Sequence, residues 1–391
     1  MEGTEYKFET IAIRKQSKQT QHREHSTPLF LTSSFTFENA EQGSAIFSGS
    51  EDGNLYSRFS NPNTDEFIDK LCLLENCESG IATASGMAAI YTSFVALLSQ
   101  GDHILASKDI FGNALYIITN ILPKMGIEYS LVDVDDNEAW QNSIRKNTKL
   151  LYLETPSNPT LKIGDLKFIA ELCTVNDIIS VVDNCFATPY LQRPSDFNID
   201  IIVHSATKYI DGQGRVLGGA VLGKSELISK CYEFIRRTGA CLSPFNAWLL
   251  SKSLETLSLR MDRHCSNALA IALWLRDSVK VKNVSYPFLT SNAQYALAKS
   301  QMTLGGGLVA FEIENGASEA MKFLNCLELY SLTANLGDSR SIATHPASTT
   351  HSKLSDQQQK EAGITPGYIR LSVGLENVQD LIKDLDNALN S

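Results

Sequence analysis

No run of eighteen apolar residues occurs in the chain, and its opening stretch, MEGTEYKFETIAIRKQ, holds no continuous apolar core. A bilayer-crossing helix needs about 20 such residues and a secretory leader needs an apolar centre, so neither is expected and the cytoplasm is the default location. No Lys/Arg-rich run occurs either. With 44 acidic against 34 basic residues the net charge is -10, which repels a phosphate backbone and argues against nucleic acid as a partner. The eight cysteines, at positions 72, 77, 173, 185, 231, 241, 265 and 326, include no C-x-x-C pair, and so none followed by histidines at zinc-finger spacing. That leaves no pattern for a structural metal or a disulfide framework. The cysteines read as small buried apolar residues.

What the chain does have is material for a core: 391 residues at 43% hydrophobic content suffice for two domains. Strand candidates recur at 103–107, 127–134, 150–154, 179–183 and 199–205. Helical or polar segments of about fifteen to twenty-five residues separate them, the spacing of an α/β fold with a mostly parallel sheet. Ahead of these, a short strand at 80–84 breaks at Ser85-Gly86, and a helix with apolar Met87, Ile90, Tyr91, Phe94 and Leu97/Leu98 follows. Its first N–H groups, near Gly86 and Met87, lack helical partners and suit a phosphate.

The chain is organised around IDIIVHSATKYIDGQGRVLGGAVLG, residues 199–223. A β-branched run there ends in His204-Ser205-Ala206-Thr207-Lys208, so Lys208 stands just past a core strand, where ligands of open α/β sheets bind. Desolvated, such an amine serves as nucleophile or base, with the Ser205 and Thr207 hydroxyls available to a phosphate. Lysine, hydroxyls and glycines this close suggest pyridoxal phosphate (PLP). A solvated strand-end lysine is the competing reading. Asp183, emerging from the strand at 179–183, is costly to bury without a cation. A protonated pyridine nitrogen would supply one, and a strand-end cap is the alternative. The loop GQGRVLGG follows no strand-to-helix turn of dinucleotide-binding spacing and is set aside as such a motif.

Residues 1–60 read as an N-terminal arm ending in a Gly/Ser/Asn-rich loop that carries Tyr56-Ser57-Arg58, and residues 61–243 read as the PLP-binding large domain. Ala247, Leu250, Leu254, Leu257, Met261, Ala268, Ala272 and Leu275 keep three/four spacing, which predicts one long amphipathic helix linking two domains. Residues 244–391 then form a smaller α+β domain, with strands expected at 308–313 and 368–373. Arg370, a cation inside an apolar strand, calls for an anionic partner.

Taken together, YSRFSNP, ASGMAA, ETPSNP, VVDN, HSATKYIDGQGRVLGG, HPASTTH and IRLSVGLE resemble, in order and over nearly the whole chain, the Cys/Met-metabolism family of PLP enzymes. This is the cystathionine γ-synthase-like group of fold type I. The resemblance implies that Lys208 binds the cofactor covalently, that Asp183 meets its ring nitrogen, and that Gly86, Met87, Ser205 and Thr207 cradle its phosphate. Tyr56 and Arg58 would reach the phosphate in the neighbouring subunit, from an arm contacting that subunit in a homo-oligomer, a tetramer built as a dimer of dimers. Asn158 and Arg370 would hold the substrate carboxylate. Where many members stack a tyrosine on the ring, this chain has Phe111, which has no hydroxyl to carry protons.

Within the family, NLGDSRSIATHPASTTH (335–351) resembles the homoserine sulfhydrylase branch, placing Asn335 and Arg340 at the substrate. Cystathionine-handling relatives usually carry a glutamate where Arg340 stands; a cation there repels a second amino group and tolerates sulfide. The GQGRVLGG loop and the chain length resemble the O-succinylhomoserine type, and Arg215 either meets a succinyl carboxylate or is a solvated surface arginine. The implied activity is replacement of the succinyl group by sulfide to give homocysteine for methionine biosynthesis. Alternatives are an O-acetylhomoserine sulfhydrylase, a cystathionine γ-synthase, a methionine or cystathionine γ-lyase, and a non-catalytic PLP-fold binding module.

Overall fold

The structure, a computed structural model, describes residues 6–350, 352, 356–361 and 363–391. Seven strands form the first sheet: β1 (Ser79–Thr83), β2 (His103–Ser107), β3 (Glu128–Val132), β4 (Thr148–Glu154), β5 (Ile179–Asp183), β6 (Ile201–Ser205) and β7 (Gly219–Gly223). Their order is β1-β7-β6-β5-β4-β2-β3. From β3 to β6 all pairs are parallel, and β7 runs antiparallel to both β6 and β1. A parallel sheet needs cover on both faces, and the alternation along the strands provides it. Ile104, Tyr152, Val181 and Val203 pack under Ile90 and Phe94 of the helix Gly86–Val95. Leu105, Leu151, Val182 and Ile202 point the other way, into a cluster that includes Phe67 and Leu71 of the helix Pro62–Glu75 and Ala247 and Leu250 of Pro244–Leu254.

β8 (Val281–Ser285), β9 (Leu308–Ile313), β10 (Ser331–Leu332), β11 (Ile342–Thr344) and β12 (Tyr368–Ser372) form a second sheet, ordered β10-β11-β12-β9-β8 and antiparallel except for β10 with β11. The helices Leu257–Arg276, Ala317–Asn325 and Val378–Asn390 cover it. Among the described residues no helix is long and apolar enough to cross a membrane.

The expected single helix through 247–275 is two helices, Pro244–Leu254 and Leu257–Arg276. At the junction Thr256 leaves helical geometry (φ -115°, ψ 10°). The buried Arg260 guanidinium donates to the Ser253 carbonyl at 2.9 Å, supplying from a side chain the hydrogen bond that a continuing helix would make. The apolar spacing runs through the break because both helices present apolar faces to the interior. The linking role falls to the second: Met261 and Cys265 pack with the first sheet, Ile271 and Leu275 with the second. β7 was hidden in the glycine-flanked end of the 212–223 segment, yet Ala220, Val221 and Leu222 are fully buried.

Candidate active site

β6 ends at Ser205 and the chain turns at once, with the Lys208 amide donating to the Ser205 carbonyl at 3.2 Å and the Gly212 amide to the Lys208 carbonyl at 2.8 Å. The turn brings Lys208 to the wall of a cavity of about 260 Å³ outside the carboxyl ends of β4, β5 and β6. Its Nζ donates to Asn335 Oδ1 at 2.7 Å. Asn335 comes this close because Gly337 (φ +73°) lets its loop press on the lysine turn; a Cβ there would lie 2.6 Å from the Tyr209 nitrogen. Burial lowers the pKa of Lys208 and the Arg370 charge adds to the effect, which raises the share of free amine available as nucleophile or base.

Across the cavity, Ser85 caps the helix Gly86–Val95 by accepting the Ala88 N–H at 3.1 Å. The amides of Gly86 and Met87 remain outside the helical ladder, at its positive end. A Cβ on Gly86 would fall 2.5 Å from the Ser205 Cβ, so only glycine lets this helix end sit against the end of β6. Ser205 and Thr207 line the same end of the cavity, Thr207 Oγ1 accepting the Gly218 N–H at 3.1 Å. The result is a cradle for an anion.

β5 and β4 each end on an acid, Asp183 and Glu154, paired in register. Asp183 Oδ1 accepts the Cys185 N–H at 3.0 Å, and burial raises its pKa to about 6. Among the described residues it has no ion-pair partner, so a cationic group in the cavity is what would favour its charge. Arg370 of β12 poses the opposite problem. Only 2% exposed, it donates from Nη1 to Asn158 Oδ1 at 2.9 Å and from Nη2 to the Asn335 carbonyl at 3.3 Å; its Nε has no partner, and no carboxylate among the described residues neutralises it. The cavity therefore offers an amine, an anion cradle, a carboxylate awaiting a cation and a guanidinium awaiting an anion. PLP carries the matching aldehyde, phosphate and basic ring nitrogen, and an amino-acid carboxylate answers Arg370.

Gly86, Met87, Phe111, Asn158, Asp183, Ser205, Thr207, Lys208 and Arg370 all line this one cavity. Tyr56 and Arg58 do not line it in their own chain: Arg58 Nε donates to the Arg236 carbonyl at 2.9 Å, and its guanidinium lies 5.0 Å over Tyr56 and 4.9 Å over Phe59. Arg340 is not among the lining residues either. It lines an adjoining cavity with Asn335, and its fork grips Asp338, with Nε to Oδ1 and Nη2 to Oδ2 both at 2.9 Å. Arg215 does not line the cavity; it is an exposed surface arginine that pairs with Asp211, Nη2 to Oδ1 at 2.8 Å. His351 of the HPASTTH motif lies outside the described residues. The sequence reading missed Glu154 and Cys185, which also line the cavity. Glu154 gives the signal that singled out Asp183, an acid closing an apolar strand.

A mostly parallel sheet with this cavity at its carboxyl edge defines a PLP-dependent enzyme of fold type I. The chain matches the family described as Cys/Met metabolism PLP-dependent enzyme over residues 9–390, and it belongs to that family. It is 41% identical to an O-succinylhomoserine sulfhydrylase of Pseudomonas aeruginosa, over 98% of this chain and 95% of that one. It is also 42% identical to an L-methionine gamma-lyase of Porphyromonas gingivalis, over 94% and 92%. A solved structure of a putative O-acetylhomoserine (thiol)-lyase from Campylobacter jejuni, which carries a pyridoxyl-lysine phosphate, superposes with a TM-score of 0.95 at 37% identity, covering 99% of this chain and 100% of that one.

Proposed function

We propose that the enzyme is an O-succinylhomoserine sulfhydrylase, exchanging the succinyl group for sulfide to form L-homocysteine. The observation that carries this reading is the distribution of charge in the cavity. Its only carboxyls among the described residues are Glu154 and Asp183, both at the buried strand ends. Arg370 is left to bind an α-carboxylate, and among the described residues no further acid lines the cavity to receive the second ammonium of cysteine or cystathionine. Sulfide requires no such partner. Relatives of this activity at 40–41% identity support the reading.

Arg370 and Asn158 hold the substrate carboxylate and so fix the Cα–H bond relative to Lys208. The bound PLP supplies a sink for the charge left at Cα. Lys208 Nζ would accept the Cα proton, release it to become a free amine again and then accept a Cβ proton; succinate leaves from Cγ, sulfide forms the new bond there, and Lys208 returns protons to Cβ and Cα. With a phenyl ring at position 111, Lys208 serves these transfers.

The second reading is a methionine γ-lyase, favoured by relatives at 39–42% identity. Product analysis separates the two. O-succinylhomoserine with sulfide should give homocysteine and succinate, and L-methionine alone should give little α-keto acid and ammonia. Faster turnover of methionine would assign the lyase, and a preference for O-acetylhomoserine would reassign the acyl group.

Arg340 bears on the acceptor only weakly, since Asp338 pairs with it and 66% of its side chain is exposed. Arg340→Glu should shift the ratio of kcat/KM for cysteine against sulfide by less than about tenfold. A hundredfold shift would place the guanidinium at the acceptor.

We further propose a homo-oligomer in which Tyr56 and Arg58 complete the partner's site. Leu31, Phe47 and Leu217, 71%, 68% and 61% exposed in the single chain, favour cover by a second copy. Arg58→Ala and Lys208→Ala proteins, each inactive alone, should regain up to about a quarter of wild-type activity when subunits exchange, because half of the dimers then hold one complete site of two. Exchange without recovery would return Arg58 to its own chain.

A further inference from the structure

Glu154 and Asp183 face each other across β4 and β5 in register, and both side chains emerge on the face that carries Tyr152 and Val181. Residues so paired stand about 5 Å apart. Both are buried, at 2% and 6% exposure, both line the Lys208 cavity, and neither has an ion-pair partner among the described residues. Glu154 Oε2 accepts the Phe111 N–H at 2.8 Å, the contact that fixes the backbone of the ring-bearing residue in the cavity wall. We infer that Glu154 is a positioning residue that acts as a neutral carboxyl group, anchoring Phe111 and leaving the negative charge of the acid pair to Asp183.

Two carboxylates this close and this dry do not both ionise. The charges facing Glu154 are those of Asp183, Arg370 and Lys208. Burial, reinforced by Asp183, drives its pKa well above the usual carboxylate range against the Phe111 amide and the two cations. Burial raises Asp183 too, to about 6, with the Cys185 amide on its Oδ1 opposing the rise. The ring nitrogen of bound PLP would meet Asp183 and favour its charge, so the proton of the pair goes to Glu154. A neutral carboxyl still accepts an N–H, so the anchor survives protonation. The inference holds whichever acyl donor or acceptor the enzyme uses.

Three measurements on the holoenzyme test it. Wild type at pH 7 should show the infrared C=O stretch of a protonated carboxyl, and its absence would overturn the neutral state without any variant. Glu154→Ala should lower kcat by roughly tenfold and weaken PLP retention, because the Phe111 amide loses its buried partner. Glu154→Gln, neutral and of the same shape, should recover most of that loss. It should also keep the pH midpoint of the cofactor's visible absorbance within about 0.3 units of wild type, since no charge is removed. A shift of about one unit or more in the Gln variant would mean that Glu154 is ionised. An Ala variant as active as Gln would remove the positioning role.

Discussion

Lys208→Ala is expected to abolish measurable turnover while the protein folds as before. The side chain makes one hydrogen bond, to Asn335, and the turn that carries it is held by main-chain bonds from Lys208 to Ser205 and from Gly212 to Lys208. Truncation removes a cation that burial already disfavours, so the melting temperature should move little. The chemical loss is large. A positioned general base contributes about 10²–10⁴ in rate, and the same amine is the covalent anchor of the cofactor, so kcat should fall by at least about four orders of magnitude. Steady-state kinetics with far-UV circular dichroism and the visible spectrum check this. Near-native activity with an unchanged visible band would remove Lys208 from the centre of the site.

The Lys208 site was legible because each strand of the parallel sheet ends where its apolar run ends. His103–Ser107 and Ile179–Asp183 fall where periodicity puts them, and the polar residues that follow β4, β5 and β6 meet at one edge by the register of parallel pairing. The 335–340 loop was not legible in the same way. Arg340 was expected at the substrate, but it lies two residues from Asp338, and a local bidentate ion pair holds a side chain that the family resemblance alone directs to the substrate. Arg215 and Asp211, four residues apart, repeat that lesson. Glu154 was missed because its role depends on Asp183 and Phe111, each about thirty or more residues away in sequence and joined to it only by sheet register and one main-chain hydrogen bond.

Asp183→Asn should retain part of the bound PLP and lose several orders of magnitude in kcat. The amide oxygen can still accept the Cys185 N–H that Oδ1 accepts at 3.0 Å, so local structure is kept. What disappears is the carboxylate that favours a protonated ring nitrogen, and each ~1.4 kcal/mol of lost transition-state stabilisation costs tenfold in rate. Titration supplies an independent check. Because burial raises Asp183 from 3.8 to about 6, the native apo-protein binds this proton more tightly than the unfolded chain does. Its contribution is therefore present at low pH and lost as pH rises from about 4 through 6, by up to about 3 kcal/mol. Asparagine should abolish that loss, so the variant apo-protein should gain stability over wild type across this window in chemical denaturation. Bound cofactor should reduce the wild-type loss, because a ring cation favours the ionised carboxylate. If kcat changes only mildly and the two apo-proteins keep the same stability difference from pH 4 to 7, Asp183 is a strand-end cap and the cofactor's ring has another partner.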